Sequence, residues 1–279
     1  MSSGSWIETV VSHEKGLVLA ALCTVIAASW FYLLAGAGTG MSPMAMTSWS
    51  MAVGAPEALS RAVATPVNWT ASYALAMFTM WWVMMMAMML PSAAPVILFY
   101  ARINGGRDKT AGVKLASQKT MVFVTGYLLV WGGFSGVAVV LQWQFEALGV
   151  LSPAIMSTSN SIFAGAVLIY AGAYQLSPLK RACLKHCQGP LAFITRHWRD
   201  GLLGALRMGL QHGFYCLGCC LGLMAILFFG GIMNLYWISG LAVMVLLEKT
   251  LPFGARLSYF TGPLLIIWGL GFLSRSLLA

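Results

Sequence analysis

Charge is the scarcest property of this chain. Lys, Arg, Asp and Glu together make up 8% of its 279 residues, against roughly a quarter in soluble domains. So few charges exclude a domain whose whole surface faces water. A phosphate-cradling Gly-rich motif is also missing, as is an acyl-phosphate Asp motif, which excludes transport driven by ATP on this chain. No cleavable signal pattern is present. Glu8 and Glu14 lie in the first sixteen residues and no small-residue cleavage site follows, so the first apolar run is expected to remain as a span.

What is there is apolar: 59% of residues are hydrophobic, with 11 Trp, 9 Tyr and 30 Gly. Trp and Tyr fit interfacial belts, and Gly fits close helix packing. The expected fold is all-α, a polytopic transmembrane helix bundle forming one domain over 1–279. Seven apolar runs approach the ~20 residues that a bilayer core needs: 17–34, 71–90, 121–141, 160–176, 210–229, 232–247 and 257–273. Gly230 and Gly231 must turn the chain between the fifth and sixth. Pro91 and Pro95 are expected to end or kink the second. Gly132, Gly133 and Gly136 read as helix packing, and Gly132 and Gly136 invite contact with a second copy.

The net charge of +9 then reads as basic loops rather than as a nucleic-acid surface. With seven spans, fourteen of the sixteen Lys and Arg fall on one side, and only Arg61 and Arg275 on the other. Cytoplasmic loops carry this excess, so the N-terminus is expected inside and the C-terminus outside a bacterial cytoplasmic membrane.

Sulfur marks the candidate chemistry. The outer loop GMSPMAMTSWSM carries Met41, Met44, Met46 and Met51. Thioethers at such spacing suit Cu(I), which prefers sulfur, although a loop packed against lipid or protein would also hold them. On the second span, Met77, Met80, Met84 and Met88 stay within an arc of about 80° at about 100° per residue. They form one stripe, whose bland reading is core packing. On the fifth, His212, Cys216 and Cys219 share a face, with Met208 one turn away and Cys220 just off the arc. An imidazole and thiols at one depth are what a soft or borderline metal needs. Buried Cys is also a common small packing residue, and one His can bond a neighbouring helix. In the inner loop, Cys183 and Cys187 share a helical face beside His186, with His197 further on. Lys180, Arg181 and Lys185 would favour thiolates there. Glu248, ending the sixth span, is expected to pair with Arg207.

In order, MMMAMMLPSAAPVILFYAR, GYLLVWGGFS, YQLSPLKRACLKHC, RMGLQHGFYCLGCC, MNLYWISGLAVMVLLEK and LPFG resemble a bacterial family of unknown function described as predicted metal-binding integral membrane proteins. The resemblance covers 71–254 and implies a polytopic fold and a metal ligand. Members of that family tend to carry Asp in the outer loop. Here the Met residues remain without Asp, which favours Cu(I) over harder ions. Leu221 also stands where a Trp often follows the paired Cys.

The expected function is binding and transfer of a soft metal, Cu(I), from Met41, Met44 and Met46 along the stripe to His212, Cys216 and Cys219. Cys183 and Cys187 serve as the inner station, and zinc is a second candidate. Partners are then the bilayer, the ion, and a second copy or a membrane complex. Two other readings remain: a thiol–disulfide oxidoreductase using Cys216 and Cys219, and a structural subunit of a larger membrane complex. A haem site would need His/Met ligation, since His212 is the only histidine within a span.

Overall fold

The computed structural model describes residues 3–38, 43–44, 47–48, 68–107, 112–153, 156–158 and 160–278. Among them the chain forms α1 (Ser3–Leu34), α2 (Ala71–Arg107), α3 (Gly112–Ala147), α4 (Ser161–Leu176), α5 (Pro178–Gln188), α6 (Pro190–His197), α7 (Gly201–Gly230), α8 (Leu235–Thr250) and α9 (Gly254–Leu278). Every one of the seven apolar runs coincides with a helix. Five helices, α1, α2, α3, α7 and α9, are long and apolar enough to cross a membrane. The helices α4 and α8 have 16 residues each, short of a full span. α4 continues into α5 through a 61° bend, and the two together are long enough for a sixth.

Local chemistry sets the breaks. Ser177 caps α5, its hydroxyl accepting the Lys180 N–H at 3.2 Å, and Pro178 occupies the first helical position, where no N–H is needed. Asn160 caps α4 and Asn234 caps α8 in the same way. Gly231 turns the chain between α7 and α8 with φ +98°, a conformation that glycine adopts without steric cost. Pro91 and Pro95 do not end α2, which runs unbroken through both. Near them, the Ser92 hydroxyl donates to the Met89 carbonyl at 2.9 Å and the Tyr127 hydroxyl reaches the same oxygen at 3.3 Å.

Packing centres on α2, α3 and α7, with α1 against α2, α4 against α7 and α9, and α8 against α2. The short α5 lies on α7, and α6 touches α2 and α5, so both close one end of the bundle. Glycines set the closest approaches. A Cβ on Gly126 would lie 2.5 Å from the Leu206 carbonyl oxygen, and one on Gly209 would collide with the Phe123 carbonyl. α3 and α7 therefore touch backbone to backbone, as small residues allow. Gly165 with Gly269, and Gly172 with Gly262, do the same for α4 and α9. Of the glycines expected to pack, one does so within the chain. Gly133 and Gly136 face open space within the chain, and Gly132 lies against the Trp82 ring.

Candidate metal centre

The six methionines Met77, Met80, Met84, Met85, Met88 and Met89 are at most 1% exposed. α2 is thus buried well beyond the stripe that its sequence marks, and the stripe of Met77, Met80, Met84 and Met88 lies in the core. Met89, outside that stripe, is the one whose sulfur meets a thiol, at 3.9 Å from Cys220 Sγ. Met77 Sδ instead receives the Gln142 amide at 3.7 Å. Of the outer-loop set, Met41 and Met46 lie outside the described residues, and Met44 is exposed.

The thiols gather around one stretch of α7. Cys216, Cys219 and Cys220 are all buried there, one turn of helix holding them together. The thiols of Cys219 and Cys220 donate to the Cys216 carbonyl at 3.1 and 2.9 Å. α5 lies across α7 and brings Cys187 to the cluster, its sulfur 3.9 Å from Cys219 Sγ. Cys183, one turn earlier on α5, has its sulfur over Gly218, where a Cβ would stand 2.7 Å from it. Two sulfurs sharing one ion, at metal–thiolate lengths of about 2.3 Å, lie about 3.8 to 4.6 Å apart for bond angles from tetrahedral to linear. Cys187–Cys219 and Cys220–Met89 both fall in that window.

Cys216 is held differently. Its sulfur is 2.8 Å from Lys249 Nζ and 3.1 Å from the Tyr127 hydroxyl. Lys249 donates also to Ser92 Oγ at 3.1 Å, so α2, α3, α7 and α8 all meet at this thiol.

His212, expected beside the thiols, is buried among aromatic rings. Its ring centre lies 5.1 Å from Phe193, 5.6 Å from Tyr127 and 6.2 Å from Phe123. Its Nδ1 is buried with no hydrogen-bond partner. Met208 receives the Arg199 backbone N–H on its sulfur at 3.4 Å. Among the described residues, no three His, Cys, Asp or Glu side chains are grouped to hold an ion. The sulfur geometry offers pairs, one of them with a thioether.

The ion pair expected between Glu248 and Arg207 does not form. Glu248 pairs with Lys180 at 2.6 Å, both side chains almost wholly buried, while Arg207 is exposed. The carboxylate also accepts from Gln175 at 3.1 Å and from Ser258 at 3.0 Å. The 61° bend swings Lys180 under the bundle, whereas Arg207 on α7 turns outward. For the same reason Lys180 serves the carboxylate and not the thiols of α5. Lys180, Lys249 and Met89 escaped the sequence reading as site residues. A signal did exist for the lysines, since Lys180 follows a Ser-Pro helix start and Lys249 ends an apolar helix beside Glu248.

The architecture is a helix bundle, with helices long and apolar enough to cross a membrane, around a buried cluster of thiols and a thioether, side chains of the soft-donor class. The chain belongs to the PpoB2 copper chaperone family, whose model matches residues 78–272. No curated protein and no solved structure matches it.

Proposed function

We propose that this chain is a multi-pass membrane copper chaperone that takes Cu(I) as its cargo and holds it at paired sulfur ligands. The observation that carries the reading is the spacing of two adjacent donor pairs, Cys187–Cys219 and Cys220–Met89, each at 3.9 Å. Cu(I) accepts few, soft ligands, so two sulfurs from different helices are enough to hold it and leave it exchangeable. Neighbouring pairs on Cys219 and Cys220 give the ion a short step from one to the other. His212 and Cys216 complete the donor set on α7. Met41, Met44 and Met46 collect the ion outside, and Met77, Met80, Met84 and Met88 line its route to Met89.

Seven spans in a bacterial cytoplasmic membrane, N-terminus inside, fit the basic loops best. The bend at Ser177 and the short α8 are supported in that arrangement by the buried Lys180–Glu248 pair, which ties their cytoplasmic ends together.

The test is copper and zinc content per purified chain, prepared with either metal in excess, beside a measure of folding. C187A and C219A are expected to fold and to hold less copper than the parent, and the parent to prefer copper to zinc. Folded variants that hold as much copper as the parent would refute the assignment.

A further inference from the structure

The end of the bundle closed by α5 and α6 carries two histidines that the sulfur cluster does not use. His186 lies in the last turn of α5 and His197 is the last residue of α6. The Gly189-Pro190 joint folds these helices against each other, so the two rings stand 6.1 Å apart, centre to centre, at 57°. Both are partly exposed.

Each ring is prepared in the same way. His186 Nδ1 lies 2.9 Å from the Ala182 carbonyl oxygen, and His197 Nδ1 lies 3.0 Å from that of Phe193. A carbonyl oxygen only accepts, so Nδ1 carries the proton and Nε2 keeps its lone pair. This is the tautomer in which histidine binds metals, its other nitrogen donating to a backbone carbonyl. Neither Nε2 has a hydrogen-bond partner among the described residues. Aromatic faces fix the rings: Tyr215 stacks on His186 at 4.1 Å and 9°, and Phe193 on His197 at 5.0 Å and 28°.

We infer that His186 and His197 form a second, two-coordinate Cu(I) site at the surface of the protein. Two imidazoles sharing one ion end to end, with metal–nitrogen bonds of about 2 Å, put their ring centres about 6 Å apart. Two neutral nitrogens without a carboxylate suit Cu(I), which is content with two ligands, better than zinc, which takes four. Lys185 and Arg196 flank the pair in the chain, and their charge weakens cation binding, as a transfer point requires. His186 precedes Cys187, and Tyr215, which stacks on His186, precedes Cys216, so His186 and the ring that holds it each adjoin a thiol of the cluster in the chain. Its role as the hand-off point rests on the copper reading above, whereas the site itself does not depend on the thiols.

The experiment titrates the purified full chain with buffered Cu(I) under reducing conditions and reads stoichiometry and the copper-edge X-ray absorption spectrum. H186N/H197N keeps an N–H donor for each carbonyl but replaces both imidazole nitrogens that carry a free lone pair with amide oxygens, which are harder ligands. It should bind about one copper fewer than the parent and lose the nitrogen component of the spectrum. C187A/C219A should still bind copper and keep the nitrogen component of the spectrum, and C187A/C219A/C220A, which removes both sulfur pairs, should leave a nitrogen-only, two-coordinate environment. If H186N/H197N matches the parent in stoichiometry and spectrum, the site does not exist. The same follows if C187A/C219A binds no copper while the parent does. Should C187A/C219A keep all the parent's copper and H186N/H197N lose it, the histidine site stands and the sulfur cluster falls. H197Q, at the partly exposed end of α6, gives the same reading if the double variant does not fold.

Discussion

Lys249 places its ammonium 2.8 Å from Cys216 Sγ, and its neighbour Glu248 turns away to Lys180. Consecutive residues at the end of α8 thus hold one compensated ion pair and one cation bonded to a thiol and a hydroxyl. A buried cation is costly without a counter-charge. On the copper reading, Cu(I) held by two thiolates would supply one, since it carries the single negative charge that one ammonium balances.

K249M, close in length and uncharged, should therefore fold but bind Cu(I) at least about tenfold more weakly, roughly 1.4 kcal/mol. K249R should recover part of the loss. Competition against a Cu(I) chelator measures it. If K249M competes as well as the parent, Lys249 only packs α8 against α2.

The Lys180–Glu248 pair is a matter of stability. E248Q leaves Lys180 buried without its counter-charge, which typically costs about 3–5 kcal/mol. The double variant K180M/E248Q removes both charges and should recover most of that loss. Thermal unfolding of the parent, the single variants and the double variant gives the coupling directly. An E248Q protein as stable as the parent, together with a destabilised R207M, would restore Arg207 as the partner.

Most of the helix content was legible because apolar runs are local signals. Gly230 and Gly231 mark one boundary in the sequence itself, whereas the caps at Asn160, Ser177 and Asn234 emerge only with the helices they start. The shared face of Cys216 and Cys219 was legible too, since helical spacing places it whatever surrounds α7. Partners across helices were not. Met89 could not be told from Met88, because α2 is buried around its circumference and exposes no polar face to fix its rotation. Cys187 reaches Cys219 only through the bend at Ser177, and that bend also decides between Lys180 and Arg207 for Glu248. The closest packing glycines were not legible for the same reason, although Gly132 does lie against Trp82 of α2. Gly133 and Gly136 sit on α3 as Gly126 does, but only Gly126 faces α7.

That contact yields a prediction about positioning. G209A places a methyl group against the Phe123 carbonyl and must separate α3 from α7. Overpacking of this kind costs about 1–3 kcal/mol. It should also move Cys216 away from Tyr127, so copper binding should fall together with stability. G133A, whose methyl group meets nothing in the chain, should change neither. Measuring unfolding temperature and copper affinity side by side tests the pair, and an unperturbed G209A would mean that the helices do not meet there.

His212 offers the sharpest separation between packing and ligation. Its ring fits the aromatic surroundings of Phe123, Tyr127 and Phe193, yet its Nδ1 is buried without a partner, at a cost of about 1–3 kcal/mol. H212F refills the space and removes the orphaned nitrogen, so the metal-free protein should be at least as stable as the parent. If the nitrogen completes the copper site with the thiols of α7, the same variant should bind Cu(I) more weakly. Stability and affinity then move in opposite directions, a pattern that loss of packing alone does not produce. Unfolding of the metal-free protein and competition with a Cu(I) chelator supply the two readouts. An H212F protein that is stable and binds copper as tightly as the parent would remove His212 from the donor set and leave the cluster to sulfur alone.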